Sequence, residues 1–178
     1  MSSARTEGES RIRVVVGDLT AQEVDVMVNA ANGELLRGGG VCGAIFRAAG
    51  PTLDEACRAV APCPTGQARL TPGFASRARW IAHSVGPVWR GGREGESELL
   101  ASAYRSALEL SASVNAVTVA FPAISTGIYG FPFDAAAPIA IVTVRAWQAE
   151  HASPHTAIFV FLSGDDATTY DRLLRPES

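Results

Sequence analysis

A chain of 178 residues, 47% of them hydrophobic, is sized for one domain with a core that needs no staples. All 15 of its cations are arginine against 18 acidic residues, and the net charge of -3 offers no bulk attraction to nucleic acid or an anionic membrane. The absence of lysine excludes Schiff-base chemistry and a lysine nucleophile, and no apolar run approaches the ~20 residues of a membrane span. Cys42, Cys57 and Cys63 are odd in number and spaced neither as CxxC nor with a matching histidine pattern, so no metal site is expected. Free thiols, a cytoplasmic location and a monomer are the expectation.

Residues 1–10 are polar and rich in Gly and Ser, and read as a loose arm before a domain over residues 11–178. Residues 11–16 and 25–30 are short apolar runs ending in polar loops, as strands do. A glycine loop at 35–40 runs into a helix over 41–49, stopped by Gly50-Pro51, and a second helix is expected over 52–60. Strands are predicted at 67–71 and 79–85, with a loop over 86–95. The spacing of Leu99, Leu100, Ala103, Ala107, Leu108 and Leu110 predicts a long helix over 96–113. A buried strand at 116–122 opens onto the loop 123–132, then come a helix over 133–150, a strand at 156–162 and a terminal helix over 165–174. Alternation of strands and helices predicts an α/β fold, a three-layer α/β/α sandwich.

Two glycine-bearing loops follow strands and lead into helices: Gly38-Gly39-Gly40-Val41 and Ser125-Thr126-Gly127-Ile128-Tyr129-Gly130. Such loops set bare backbone N–H groups against an anion, helped by the positive end of the next helix, and two facing one another suit a diphosphate. Neither matches GxGxxG or GxxxxGK[ST], and no lysine can reach a terminal phosphate, which argues against a nucleoside triphosphatase. Asp18, in Gly17-Asp18-Leu19-Thr20, either accepts from an exocyclic amine such as that of adenine or caps the following turn. Asn29 and Asn32, three residues apart at the end of the second strand, are candidates for ribose hydroxyls or ordinary turn residues.

Taken together these segments resemble the macrodomain family, most closely its MacroD-type branch. The matching blocks are GDLT at 17–20, VDVMVNAAN at 24–32, LLRGGGV-GAI-RAAGP at 35–51 and C-----CPTGQARLTPG at 57–73. WIAHSVGP at 80–87, AFPAISTGIYGFP at 120–132 and FVFL at 159–162 continue the series in order. The resemblance implies a mixed central sheet and a site for ADP-ribose. Asp18 would take the adenine amine, with Leu19 supplying a backbone contact and Phe161 a ring face. Gly39, Gly40 and Val41 on one side and Ser125, Thr126, Gly127, Ile128 and Tyr129 on the other would wrap the diphosphate. Asn32, assisted by Tyr129, would hold the distal ribose; His83 would be structural, and Cys57 and Cys63 would pack.

The chain departs from the hydrolytic pattern at one informative place. Where that pattern continues Val-Asp-Gly, with the Asp helping to position the attacking water, this sequence has Val41-Cys42-Gly43, and the following His is Phe46. Loss of a positioned base costs ~10²- to 10⁴-fold in rate without touching binding. Cys42 is either a small apolar filler or, at a helix N-terminus, a candidate base or nucleophile. The leading expectation is a mono-ADP-ribosyl hydrolase that needs no cofactor and acts on ADP-ribosylated proteins or a small acylated ADP-ribose, with Asn32 and Cys42 at the reacting end. The alternative is a reader that binds ADP-ribose and leaves the modification intact; a glycine-loop domain for another nucleotide is a third.

Overall fold

The computed structural model describes residues 11–176, so the expected arm at residues 1–10 lies outside the described residues. Six strands form one sheet: β1 Ile12–Val16, β2 Val26–Ala30, β3 Ala68–Pro72, β4 Trp80–Ser84, β5 Thr118–Phe121 and β6 Thr156–Phe161. Their order across the sheet is β1-β6-β5-β2-β4-β3. Every neighbouring pair is parallel except β3 with β4, which makes the sheet mixed.

Parallel strands are covered on both faces, which is why these runs are apolar throughout rather than alternating with polar residues. In β2, Val26 and Val28 point to one face and Met27 to the other. On the first face they belong to one core with Leu100, Tyr104 and Leu108 of α3 Glu96–Ser113, Ala137 and Ile141 of α4 Phe133–Glu150, and Tyr170 of α5 Gly164–Leu174. On the second, Met27 and Ile81 pack with Ile45 and Phe46 of α1 Gly40–Ala49 and Leu53 and Cys57 of α2 Thr52–Val60. The result is the expected three-layer sandwich.

The elements fall where apolar periodicity puts them, with ends shifted by a residue or two. The clearest trim is β5, expected from residue 116 and observed from Thr118. Ala116 N–H closes the end of α3 on Ser111 O, and the Asp25 carboxylate takes the N–H groups of Val117 (2.7 Å) and Thr118 (3.2 Å). The Ala116 and Val117 N–H groups are thus committed elsewhere before the ladder begins at Thr118. Among the described residues no helix is long and apolar enough to cross a membrane.

Candidate functional site at the carboxyl ends of the strands

The carboxyl ends of β1, β2, β4, β5 and β6 open together into a cavity of about 710 Å³. This is where open α/β sheets place ligands, because strands end there and helices begin. Gly17 to Thr20 follow β1, Ala30 to Asn32 follow β2, Gly86 follows β4, Pro122 to Tyr129 follow β5, and Val160 to Ser163 end β6. Gly38 to Cys42, with Ala44 and Arg47 of α1, form the opposite lip. A shallower depression of about 360 Å³, lined by Glu23, Val24, Asp25, Arg77 and Thr118, lies at the other end of β2 and β5. Its Asp25 is already engaged with backbone N–H groups, so we place the site in the larger cavity.

The glycine lip is an uncapped helix start. Gly39 is the N-cap residue of α1 and has no side chain to satisfy the first N–H groups, while Gly40 takes a φ of 55° that favours glycine. The N–H groups at the start of α1 therefore face the cavity as donors at the positive end of the helix dipole. Gly43 is packed too closely for any side chain: a Cβ there would stand 2.6 Å from Gly38 O.

The facing loop closes on itself. Ser125 O accepts from Phe131 N (2.9 Å), Gly127 O from Gly130 N (3.0 Å), and Ala123 O from Thr126 Oγ1 (2.9 Å). Ser125 holds a φ of 68°, and its buried hydroxyl has no partner among the described residues. A Cβ on Gly127 would meet nothing within 4 Å, so its bare backbone faces open space. Ile128 is 100% exposed at the cavity edge. Behind the loop, Trp89 N donates to Tyr129 O (2.8 Å). Trp89 belongs to the segment that Glu96 organises, its carboxylate accepting from Arg90 N (3.0 Å), Gly92 N (2.7 Å) and Glu94 N (2.6 Å). Burial would raise the Glu96 pKa, but these donors outweigh it and hold the carboxyl below its ordinary value.

At one end of the cavity Asp18 lies near Leu19 and Phe161. Asp18 Oδ1 accepts from both Thr20 N and Thr20 Oγ1 at 2.8 Å, so the capping role is realised and the exposed carboxylate still lines the cavity. Phe161 lines the same wall while its ring packs on Tyr170, 4.6 Å between centroids, so core and site share one side chain. Asn32 lines the cavity near the other end. Its amide donates to Leu36 O (2.8 Å) and accepts from Leu36 N (3.0 Å), pinning the loop that leads to the glycines. One N–H and one lone pair of that amide remain for a ligand.

Asn29 is the correction. Expected beside a ribose, it is 1% exposed and lies outside the cavity lining. Two residues from Met27 on the same face of β2, it points beneath α1, where its Nδ2 donates to His83 Nδ1 (3.1 Å) and approaches Cys42 Sγ (3.7 Å). His83 is wholly buried, and burial pushes its pKa down to about 4, so the ring is neutral. With Nδ1 accepting, Nε2 carries the proton toward Thr71 Oγ1 at 2.9 Å, near Cys57 Sγ at 3.6 Å. Burial, with neighbouring Cys42 and Asp54, pushes the Cys57 thiol up to about 11. Cys42 itself is 9% exposed, at the cavity wall, with its thiol directed at Leu36 O (3.7 Å).

Gly86, Arg47, Thr20 and Asp166 line the cavity without having been singled out from the sequence. Gly86 was legible in principle as a glycine ending a strand. Arg47 was legible as the continuation of a stripe: Gly40, Ala44 and Arg47 recur at the helical period on one face of α1. Among the described residues no group of three or more His, Cys, Asp or Glu is placed to hold a metal ion.

These features define an α/β/α sandwich whose principal cavity is walled by glycine-rich loops and the open N-terminus of a helix. A Macro domain family model matches residues 28–140. The O-acetyl-ADP-ribose deacetylase of Escherichia coli K12 is 50% identical over 170 residues, 93% of this chain and 96% of the relative. Among solved structures, the Oceanobacillus iheyensis macrodomain with ADP superposes with a TM-score of 0.84 at 42% identity, covering 90% of this chain and 88% of the other. The Trypanosoma brucei macrodomain in complex with ADP-ribose superposes at 0.86 with 36% identity, covering 93% and 69%. The chain belongs to the macrodomain family.

Proposed function

We propose that this chain binds ADP-ribose in the 710 Å³ cavity and hydrolyses carboxylate esters of it, on modified proteins or on a small acylated ADP-ribose. The observation that carries the reading is the pairing of two bare backbone surfaces, the uncapped start of α1 and the open Gly127 loop, across one cavity. The named activity of the Escherichia coli relative and the ADP-ribose complex of the Trypanosoma brucei protein support it. In this reading the adenine sits between Asp18 and Phe161, the diphosphate lies between the two loops, and the distal ribose reaches Asn32 and Tyr129.

A carboxylate is a good leaving group, since its acid has a pKa near ~4, so departure needs little protonation. Oxocarbenium character at the ribose carbon then dominates the barrier to cleavage there. The chain must hold the ribose and order one water, and a diphosphate fixed between the loops offers oxygens to orient that water. Cys42, in place of the carboxylate, favours a slow hydrolase, and taken further it favours a reader that binds without turnover.

Release of ADP-ribose from a glutamate-modified protein by the purified chain decides between them. Measurable release that Asn32→Ala nearly abolishes is the expected result. Cys42→Ala is expected to leave release unchanged if the thiol is filler and to abolish it if the sulfur takes part. Cys42→Asp is expected to raise it by up to ~10²- to 10⁴-fold. Tight binding of ADP-ribose with no release in any of these proteins would establish the reader.

A further inference from the structure

We propose that Arg47 is a ligand-reading side chain of this cavity, meeting a phosphate on its nucleoside side. The inference rests on the cavity being the ADP-ribose site, and it concerns a residue that neither loop motif contains. Three observations point to it. First, Arg47 lines the cavity, the only cationic side chain to do so among the described residues, whereas Asp18 and Asp166 line it as carboxylates. A dianionic diphosphate entering that wall meets two side-chain negative charges, and Arg47 is the one cation that opposes them.

Second, Arg47 has no ion pair or side-chain hydrogen bond in the described structure. Arg37, Arg77, Arg79 and Arg90, by contrast, each lie within 4.0 Å of a carboxylate oxygen. Its five donors are uncommitted.

Third, the guanidinium is folded back along α1 toward the glycine lip. A Cβ placed on Gly43 would stand 3.2 Å from Arg47 Nη1, so the bare glycine one turn earlier leaves room for it. Arg47 thus continues the cavity-facing stripe that begins at the uncapped N-terminus, and donors from backbone and side chain face one space. Because α1 packs against the 3-10 turn Leu19–Ala21 beside Asp18, we assign this cation to the nucleoside side of the lip. A planar guanidinium there matches a phosphate bidentately, which an ammonium would not.

The test is calorimetry of the full chain with ADP-ribose, ADP and adenosine at low and high salt, using Arg47→Gln, Arg47→Lys and Arg47→Glu. Arg105→Gln, an exposed arginine on α3 outside the cavity, is the control. The group is exposed, so the expected loss for ADP-ribose and ADP in Arg47→Gln is about three- to tenfold at low salt. That loss should shrink at high salt, be partly restored in Arg47→Lys, be larger in Arg47→Glu, and be absent for adenosine. Unchanged ADP-ribose affinity in Arg47→Gln overturns the proposal. So does an equal loss for all three ligands, which would mark a packing role. A wild-type chain that binds neither ADP-ribose nor ADP overturns the reading of the cavity, and this inference with it.

Discussion

Gly86 has no role assigned to it within the block WIAHSVGP, yet the geometry makes it one of the least replaceable residues of the cavity. A Cβ added there would collide with the Ser125 hydroxyl and stand 2.5 Å from Ile124 Cγ2. Neither neighbour yields easily: Ile124 is 1% exposed, and Ser125 begins the second loop with a φ of 68° and a buried, unpartnered hydroxyl. Gly86→Ala therefore overpacks a closed wall, at about 1–3 kcal/mol, which is roughly 2–4 °C in Tm per kcal/mol for a domain of this size. The displacement falls on the loop proposed to hold the diphosphate, so ADP-ribose affinity should drop with Tm. The companion change Ser125→Gly removes the hydroxyl and suits the left-handed backbone. In the double variant part of the Tm and affinity should return, a coupling of at least about 0.5 kcal/mol for residues in contact. Thermal unfolding and calorimetry on the four proteins measure it. A Gly86→Ala protein with wild-type Tm and affinity, or a strictly additive double variant, would refute this account of the wall.

Gly127→Val should keep its circular dichroism spectrum, since its Cβ meets nothing within 4 Å, yet lose ADP-ribose binding by at least about tenfold; normal binding would remove this loop from the diphosphate site. Asn32→Ala loses both hydrogen bonds to Leu36, about 0.5–1.5 kcal/mol each, whereas Asn32→Asp keeps an acceptor for Leu36 N. Equal loop stability in the two variants by hydrogen exchange would count against that pinning. His83 should make the fold acid-labile: its folded pKa is depressed to about 4 from 6.5, so the unfolded chain binds the proton more readily. Its stabilising contribution is full above pH 6.5 and erodes as pH falls toward 4, by roughly 3 kcal/mol, and denaturant melts should show a flatter profile in His83→Gln.

What the sequence disclosed and what it hid follow from the same physics. Runs such as residues 26–28 and 118–121 read as strands because the sheet is covered on both faces, and loops stood out because Gly, Asn and Asp follow those strands. Asn29 was misplaced because its residue type suggested a ligand, although the period of two sets it with Met27, facing inward. Reading the alternation one residue further would have sent it beneath α1. Gly86 and Ser125 were harder, because they follow two strands that α3 separates in sequence and β2 separates in the sheet. No local pattern encodes a contact that exists only once β4 and β5 have docked on either side of β2.

The substitution at position 42 is intelligible on the same terms. The donors proposed to grip the diphosphate are backbone N–H groups of the α1 start and the facing loop, and backbone donors survive a change of side chain. Chemistry, by contrast, would depend on whether one side chain presents a carboxylate. The wall beneath Cys42 is built around polar contacts: Asn29, held by the neutral His83, directs an N–H toward the sulfur. A carboxylate at 42 would accept that donor more strongly than a thiol does, so the support for it is in place even though the group is not. On the proposed reading, binding and turnover are separable by one residue, and the rate gained or not gained by Cys42→Asp measures whether the scaffold can still use a carboxylate at that position.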